Sequence, residues 1–527
     1  MTRLSRAAGL VSLATLVSRV LGLLRDSVRA ALFGSGWLSD ALDVAFKVPN
    51  LFRDLFAEGA FSGAFVPTIM RTHEREGRAA ALVLLNRVLS TMLVYVGALC
   101  LVLISFAPWI VRILASPTFV EQPEFRDAVV LVRILAPFLL LICLAVAAMG
   151  ALNVLGKYFV PALSPAAQNL VLVLGGLVVY KAVAEAPARA VPWAFLLLAG
   201  GALQFLIQVP PLLRAGWRPR FLPDLRLRTE ETRQMLRRML PVVAGLAATN
   251  LCILINTRLA TDDQGGTSNL YYAFRLVHLP VGLVGVAVGT AVLAEASRRA
   301  AVHDEEGARE TLAEALLLCL AFAAPAAAGL LALGPPIADL LFHWGRQMDL
   351  GRTAAIGLTI RWFAPAVVFY CAVKVVVPFF HAQGRVRIPV FASMTAVVAN
   401  LACALTTHRW LRWNGLALAV GVGQLANLLV LLVFTGALHG WPGRALFGRL
   451  GKIALASAVC AGVAAATVPL FPAGEGALPR LLRGLVPVAT GAVAYLAAGR
   501  LLRCPEIESL VRALGRFARL DKGRRGA

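Results

Sequence analysis

Apolar segments, separated by glycines, prolines and clusters of charge, recur along the entire chain of 527 residues. Most of these segments exceed the roughly 20 residues that a helix needs to cross a bilayer. The pattern predicts an all-α, polytopic membrane protein with 14 transmembrane helices. The predicted helices cover residues 7–34, 38–72, 80–112, 124–153, 157–182, 189–214, 232–262, 266–300, 308–332, 352–383, 386–407, 413–439, 447–470 and 479–502.

Arginine and lysine are concentrated in alternate loops of this predicted topology. The basic segments are 71–78, 214–238, 298–309, 385–387, 444–452 and the tail after 503. The intervening loops contain almost no cations, and they are 34–38, 116–124, 262–269 and 471–478. Because basic loops stay on the cytoplasmic side, both termini are predicted to be cytoplasmic in a bacterial inner membrane. The stretch 504–527 is then a basic cytoplasmic tail that lies on the anionic inner leaflet.

Short motifs of the first half return in the second half at a constant offset. Three pairs of segments lie 228 residues apart, namely 45–48 and 273–276, 133–137 and 361–365, and 156–157 and 384–385. One such match in apolar sequence is easily a coincidence, but three at the same offset are not. The sequence therefore contains an internal repeat of six helices.

The repeat predicts the organisation of the chain. An even number of helices gives both copies the same orientation, so the two six-helix lobes are related by a pseudo-twofold axis along the membrane normal. The N-lobe is predicted at 1–220 and the C-lobe at 221–440, and two extra C-terminal helices occupy 441–503. Proteins built in this way hold their substrate between the halves and work by rocking one half against the other.

Composition excludes several classes of function. The chain is 59% hydrophobic and only 15% charged, whereas soluble domains average about 45–50% and about 25%. The net charge of +23 is carried largely by the basic loops and is joined to no nucleic-acid-binding module, so nucleic acid is not expected as a partner. The eight scattered cysteines lack the spacing of a metal site or disulfide framework and are interpreted as small core residues.

Charged side chains recur inside several predicted helices, where they cannot face lipid. Each central arginine costs about 2.5–3.5 kcal/mol on insertion scales, so four facing lipid would cost on the order of 10 kcal/mol. We therefore expect these groups to line an aqueous cavity or to pair with one another. The polar residues concerned are Ser18, Arg19, Arg25 and Arg29 in the first helix, Asp40, Asp43, Lys47, Asn50, Arg53 and Glu58 in the second, Arg275 in the eighth and Lys374 in the tenth.

Internal salt bridges explain part of this set, and the expected pairs are Asp26 with Arg29 and Asp43 with Lys47. The remaining cations outnumber the nearby carboxylates, and they are Arg19, Arg25, Arg53 and Arg275. A guanidinium group offers a fixed fork of donors that suits phosphate, so this surplus indicates a large anionic substrate. Intramembrane amides, such as that of Asn169, are interpreted as interhelical hydrogen-bonding groups.

Motifs for direct use of ATP or for hydrolysis are absent from the sequence. It contains no G-x-x-x-x-G-K-[ST] phosphate-binding loop, so ATP is not the direct energy source. It contains neither H-E-x-x-H nor G-x-S-x-G, and its seven histidines are dispersed. These features disfavour an enzyme that acts on lipid phosphates, and we expect neither enzymatic activity nor a cofactor or metal ion.

Four segments near the N-terminus resemble the MurJ/MviN family, the lipid II flippases of peptidoglycan synthesis. They are the segments 18–26, 40–41, 45–53 and 56–67. Weaker similarity covers nearly the whole chain, around residues 255–257, 271–276, 282–290 and 373–378. The family belongs to an exporter superfamily that includes multidrug MATE transporters and oligosaccharide-lipid flippases.

The resemblance implies fourteen helices, two lobes and a central cationic cavity in which arginines bind the pyrophosphate and headgroup of lipid II. It also implies that the two extra helices form a groove for the polyprenyl tail. The candidate substrate-binding residues are Ser18, Arg19, Arg25, Asp40, Lys47, Asn50, Arg53, Glu58, Arg275 and Lys374. The expected partners are lipid II and membrane lipids, with the cell-wall synthesis machinery as a further candidate.

The sequence departs from the family pattern at two places. Family members often have acidic residues beside the arginine of the eighth helix, where this chain has Phe274 and His278. Asn256 stands where some members have an aspartate of a sodium site, which weakens the case for sodium coupling. The first alternative is a flippase for another polyprenyl-pyrophosphate sugar, such as an O-antigen or exopolysaccharide unit. The second is a drug exporter, whose cationic substrates this cavity would repel. The third is a scaffold that transports nothing.

Overall fold

Helices make up most of the described part of the chain, which comprises residues 3–57, 60–225, 229–302, 304–436, 443–472, 474 and 476–508 of the computed structural model. The first ten are α1 (Arg3–Phe33), α2 (Trp37–Ala57), α3 (Ala60–Ser105), α4 (Ala107–Leu114), α5 (Pro117–Val120), α6 (Glu124–Val154), α7 (Phe159–Ala182), α8 (Ala186–Leu206), α9 (Val209–Arg214) and α10 (Glu230–Ala260). The others are α11 (Gly266–Pro280), α12 (Val286–Ala301), α13 (Glu305–Phe342), α14 (Leu350–Ala382), α15 (Arg387–Leu411), α16 (Trp413–Phe434), α17 (Gly443–Thr467) and α18 (Ala477–Leu501).

The helices agree with the predicted membrane spans. Within the described residues, ten helices are long and apolar enough to cross a membrane. The other four predicted spans are also helical and carry several charges each, and they correspond to α1, α2, α10 and the pair α11–α12. Helices suit these segments because only a helix satisfies every backbone N–H and C=O group within one segment in lipid. The predicted all-α, polytopic fold class is confirmed.

The largest difference in helix boundaries concerns the second and third predicted spans. α2 ends at Ala57, and α3 then continues through the predicted turn near residue 77. Gly77 interrupts α3 with φ 88° and ψ 176°. This left-handed conformation is strained for residues with a Cβ atom, so the turn between the two spans depends on a glycine.

The eighth predicted span contains a break that follows from its proline. α11 ends at Pro280 and α12 begins at Val286, and a five-residue π-helical turn joins them at Val281–Gly285. Pro280 has no N–H group to continue the α-helical hydrogen-bond ladder, and the wider turn accommodates this loss. The chain thus changes helix type directly after Pro280.

The described residues divide into two compact units. The first comprises residues up to Ser268 together with Trp344–Met348, and the second comprises Asn269–His343 and the residues from Asp349 onward. In the first unit α6 packs against α2, α3 and α8, and α7 packs against α1 and α8. In the second unit α14 packs against α12, α13 and α16. The repeat equivalents α6 and α14 are therefore each the central helix of one unit.

The first unit extends past the boundary predicted at residue 220 because α10 packs within it. α10 contacts α2, α3 and α4. Arg258 of α10 donates to three carbonyls at the end of α4, those of Arg112, Ile113 and Ala115, at 2.9, 3.1 and 2.6 Å. The last carbonyls of a helix have no partner within it, so Arg258 caps α4. The division into lobes at 220 and 440 stays a prediction of the repeat.

Repeat-related residues also share local geometry. Gly156 follows α6 with φ 73°, and Gly384 follows α14 with φ 70°. In each copy the next residue, Lys157 or Arg385, donates its N–H to the carbonyl five residues earlier at 2.9 Å. This is the Schellman motif, which ends a helix on a left-handed glycine. The motif match at an offset of 228 residues thus corresponds to a repeated helix ending.

The two helices outside the repeat pack on α13 in the second unit. Arg449 of α17 donates to both carboxylate oxygens of Glu314 of α13, at 2.5 and 2.9 Å. It also donates to Glu506, beyond α18, at 2.7 Å. Two-pronged arginine–carboxylate pairs are strong and directional. They fix α17, and the segment that follows α18, to the second unit.

Candidate substrate-binding site

Arg25 is held in a fixed position on the polar face of α1. Its Nε and Nη2 atoms donate to Oδ1 of Asp26 at 3.0 and 2.7 Å, and its Nη1 atom donates to Oδ1 of Asn169 at 3.0 Å. The amide nitrogen of Asn169 donates to the carbonyl of Ser18 at 3.0 Å. Asn169 of α7 therefore bonds to α1 at two places, Ser18 and Arg25, which confirms its predicted interhelical role. The Arg25 side chain is 14% exposed, so it is anchored without being fully enclosed.

A second ion pair joins α1 to α2. Nη2 of Arg29 lies 2.8 Å from Oδ1 of Asp43, and the two side chains are 7% and 11% exposed. The same nitrogen donates to the carbonyl and the hydroxyl of Ser39, both at 3.2 Å. Helical spacing alone predicted Asp26 with Arg29 and Asp43 with Lys47. The structure shows two further bonds that spacing did not predict, from Asp26 to Arg25 and from Asp43 to Arg29. The second arises because α2 provides a carboxylate and a serine to Arg29.

Asp40 is enclosed within the first unit and organises the start of α11. Its side chain is 0% exposed. One oxygen accepts from the N–H of Gly265 at 2.6 Å, and the other accepts from the N–H and hydroxyl of Ser268, both at 2.9 Å, and from the hydroxyl of Thr267 at 2.7 Å. A carboxylate at a helix N-terminus satisfies orphan N–H groups and complements the helix dipole. In this structure Asp40 thus caps the helix that carries Arg275 and is not exposed to a ligand.

The other candidates of the first unit lie along the same two helices. All of them are half-buried, and they are Ser18 and Arg19 of α1 and Lys47, Asn50 and Arg53 of α2. Partial burial suits polar groups that leave the lipid but remain accessible to a solute. Glu58 lies outside the described residues, and its predicted role stays a prediction.

In the second unit, α11 presents a polar and aromatic face. Tyr272 is fully buried and packs on Phe342 with ring centroids 4.8 Å apart. Arg275 is exposed, and its guanidinium carbon lies 5.7 Å from the centroid of the Tyr271 ring. The His278 ring packs against Phe274, with centroids 3.9 Å apart. The two places where the family often has acidic residues are therefore occupied by a ring pair beside Arg275.

Lys374 lies where α14 approaches α12 closely. A Cβ atom on Gly289 would collide with the backbone carbonyl of Lys374, and one on Gly285 would lie 3.3 Å from Cα of Cys371. Gly285 and Gly289 therefore allow the backbone of this segment to contact the backbone of α14. The Lys374 side chain is exposed, so the contact fixes the backbone of this candidate and leaves its ammonium group accessible.

This contact gives a first testable expectation. Gly289→Ala should destabilise the protein by about 1–3 kcal/mol, because the carbonyl of Lys374 must shift to admit a methyl group. Gly329→Ala is the matched control, since a Cβ atom there meets nothing within 4 Å. Thermal unfolding of the two purified variants in detergent measures the difference. Equal midpoints would show that α12 and α14 do not pack in this way.

Several partners of the candidate residues were not identified from sequence. Ser39, Thr267 and Ser268 lie in the first turns of α2 and α11, and only the folded chain brings them to Arg29 and Asp40. The signal available in sequence was a run of small hydroxyl residues at the start of a predicted helix. Among the residues that the structure describes, no group of three or more His, Cys, Asp or Glu side chains could hold a metal ion. All eight cysteines are unbridged, and seven are buried, as expected for core residues.

Comparison with known proteins assigns the chain to a family. The family model described as lipid II flippase MurJ matches residues 29–478. The chain is similar to the lipid II flippase MurJ of Burkholderia cenocepacia, with 31% identity over 82% of this chain and 83% of that protein. It is also similar to the probable lipid II flippases MurJ of Rhizobium meliloti, 31% identical over 85% and 84%, and of Bdellovibrio bacteriovorus, 30% identical over 96% of each chain.

Solved structures show the same fold. A lipid II flippase MurJ in an inward closed conformation superposes with a TM-score of 0.75 at 23% identity, covering 93% of this chain and 98% of that one. An inward-facing multidrug MATE transporter gives a TM-score of 0.68 at 15% identity, covering 80% and 94%. Since the family model spans most of the chain and the sequence relatives reach 31% identity over four-fifths of it, this multi-pass membrane protein belongs to the MurJ family.

Proposed function

We propose that this protein is a flippase that moves lipid II from the inner to the outer leaflet of the bacterial cytoplasmic membrane. The observation that carries the proposal is the anchored arginine at position 25, in a chain that belongs to a lipid II flippase family. Asp26 and Asn169 hold its guanidinium group in one place. A positioned guanidinium group binds a pyrophosphate oxygen with little loss of entropy on binding.

The proposed mechanism is alternating access by lobe rocking. It is supported by the internal repeat, whose two copies have the same predicted orientation. In this mechanism the headgroup binds to the cations of α1, α2 and α11, and the polyprenyl tail stays in lipid beside α17 and α18. The loop charges support cytoplasmic termini. Transport of this kind requires no bond cleavage, so the protein acts as a transporter and not as an enzyme. Cell-wall synthesis enzymes are the proposed protein partners.

Depletion of the gene tests the proposed substrate. Cells that lose the protein should accumulate lipid II on the inner leaflet and then lyse, because peptidoglycan synthesis outside the membrane loses its precursor. The measurement is extraction and quantification of lipid-linked precursors at intervals after depletion. Normal peptidoglycan together with loss of a surface polysaccharide would show that another polyprenyl-pyrophosphate sugar is the substrate.

A further inference from the structure

A cavity of about 390 Å³ in the first unit is lined by none of the residues proposed to bind the headgroup. This volume falls within the range of small-ligand sites, about 300–1,000 Å³. The cavity is formed by the α6–α7 connection and the end of α9. Its lining residues are Gly156, Lys157, Tyr158, Phe159, Val160, Pro211 and Arg214.

The backbone holds one cation at the wall of this cavity. The left-handed Gly156 turns the chain sharply after α6, so Lys157 begins the connection to α7. Nζ of Lys157 donates to the carbonyl of Pro211 in α9 at 3.0 Å. An ammonium group has three donors, so this bond leaves further donors for an anion. Arg214, at the end of α9, adds an exposed guanidinium group to the same cavity.

Aromatic side chains accompany these cations at the surface. Tyr158 is 47% exposed and Phe159 is 44% exposed. Exposed aromatic rings beside lysine and arginine are typical of the membrane–water interface, where the rings lie at the level of the lipid headgroups. The mixture of two cations and two exposed rings fits a ligand with an anionic head and an apolar body.

The chain that follows α9 also presents cations and apolar side chains to the outside. The backbone of residues 217–225 is hydrogen-bonded to side chains of α3. The Asn86 amide donates to the carbonyl of Arg218 at 2.8 Å, and the Tyr95 hydroxyl donates to the carbonyl of Leu225 at 2.7 Å. Trp217 is buried and donates to the Asn86 amide oxygen at 2.7 Å, and most of the side chains that follow remain outside. The exposed side chains of this segment are Arg218, Pro219, Arg220, Phe221, Leu222 and Leu225.

We propose that the cavity binds the phosphodiester headgroup of an anionic glycerophospholipid in the adjacent leaflet, which the proposed topology identifies as the cytoplasmic one. Lys157 and Arg214 contact the phosphate, and Tyr158 and Phe159 contact the glycerol and the upper acyl chains. Basic pockets between membrane helices bind anionic lipid headgroups through this combination of contacts. A zwitterionic lipid has the same phosphate, but its cation would face Lys157 and Arg214 and would be repelled.

Binding of short-chain lipids to the purified full-length protein in detergent tests the proposal. Dioctanoyl phosphatidylglycerol should bind, and dioctanoyl phosphatidylcholine and inorganic phosphate should bind at least about fivefold more weakly. Arg214→Gln should weaken binding of phosphatidylglycerol about fivefold, and Lys157→Gln with Arg214→Gln about 25-fold, as expected for loss of one and two cation contacts. Arg214 is exposed, so its single variant should fold even if the double variant does not.

The matched control is Arg75→Gln with Arg78→Gln, which removes two exposed cations from the turn around Gly77. This variant should bind phosphatidylglycerol as the parent protein does. An equal loss in the control would overturn the proposal in favour of general surface attraction. Equal binding of phosphatidylcholine would overturn the requirement for negative charge, and equal binding of inorganic phosphate would indicate a soluble anion as the ligand. Lipid II transport is not part of the measurement, so the result is independent of the proposed function.

Discussion

Arg25→Ala should abolish growth when it is the only copy of the protein, while its abundance in the membrane stays normal. The proposed pyrophosphate contact is charge-assisted, and loss of such a contact costs about 2–5 kcal/mol, or roughly 30- to 4,000-fold in transport rate. Arg25→Lys should also impair growth severely, since lysine keeps the charge but loses the two-pronged geometry. Arg275→Ala and Arg275→Lys should behave in the same way. Complementation of a depleted strain, with a blot for protein level, measures all four.

A structural role for Arg25 needs its own control, because Asp26 is 1% exposed and loses its arginine in Arg25→Ala. The double variant Arg25→Ala with Asp26→Asn removes that buried charge as well. If Arg25 only neutralises Asp26, the double variant should restore growth. The pyrophosphate contact predicts that it does not, and restored growth at native expression would eliminate that contact for Arg25.

Asp40→Asn should destabilise the protein by about 2–4 kcal/mol and impair growth, because each carboxylate oxygen of Asp40 accepts from a fixed backbone N–H. Asparagine has only one acceptor oxygen, so its amide nitrogen must face either the N–H of Gly265 or that of Ser268. Thr267→Val removes a single hydroxyl donor and should cost only about 1 kcal/mol. Thermal unfolding of the purified variants in detergent gives these values.

A second aspartate provides the matched control for this substitution. Asp349 also caps a helix, accepting from the N–H of Arg352 at 2.8 Å, but its side chain is 67% exposed. Asparagine is a good N-cap at such a position, so Asp349→Asn should change stability by less than about 0.5 kcal/mol. Comparable destabilisation by the two substitutions would mean that the burial of Asp40 does not increase the contribution of its hydrogen bonds to stability.

The sequence predicted the helices and the positions of the polar candidates, because apolar length and intramembrane charge are local signals. It did not predict the ion pair that joins the first two helices. Spacing along one helix suggests Asp26 as a partner of Arg29, but it contains no sign of the bond between Arg29 and Asp43 on the next helix. The role of Asp40 depends on Ser268, which lies 228 residues along the chain, and no local pattern contains that contact.

The extent of the first unit is a separate property from the predicted repeat. The repeat places α10 at the start of the second lobe, whereas its packing places it in the first unit. The difference arises from tertiary contacts such as the cap that Arg258 provides to α4. Repeats record ancestry of segments, and packing depends on which partners a helix finds in the folded state.

Translocation of lipid II by the purified protein is the decisive measurement of flippase activity. Vesicles that contain lipid II in both leaflets are prepared with the wild-type protein, with Arg25→Ala, or without protein. An enzyme that consumes lipid II is added outside the vesicles, so it converts only lipid II that is in the outer leaflet or reaches it. We expect conversion of lipid II from both leaflets with the wild-type protein, and conversion from the outer leaflet alone with Arg25→Ala or empty vesicles. Conversion by the wild-type protein no greater than in empty vesicles would contradict this expectation.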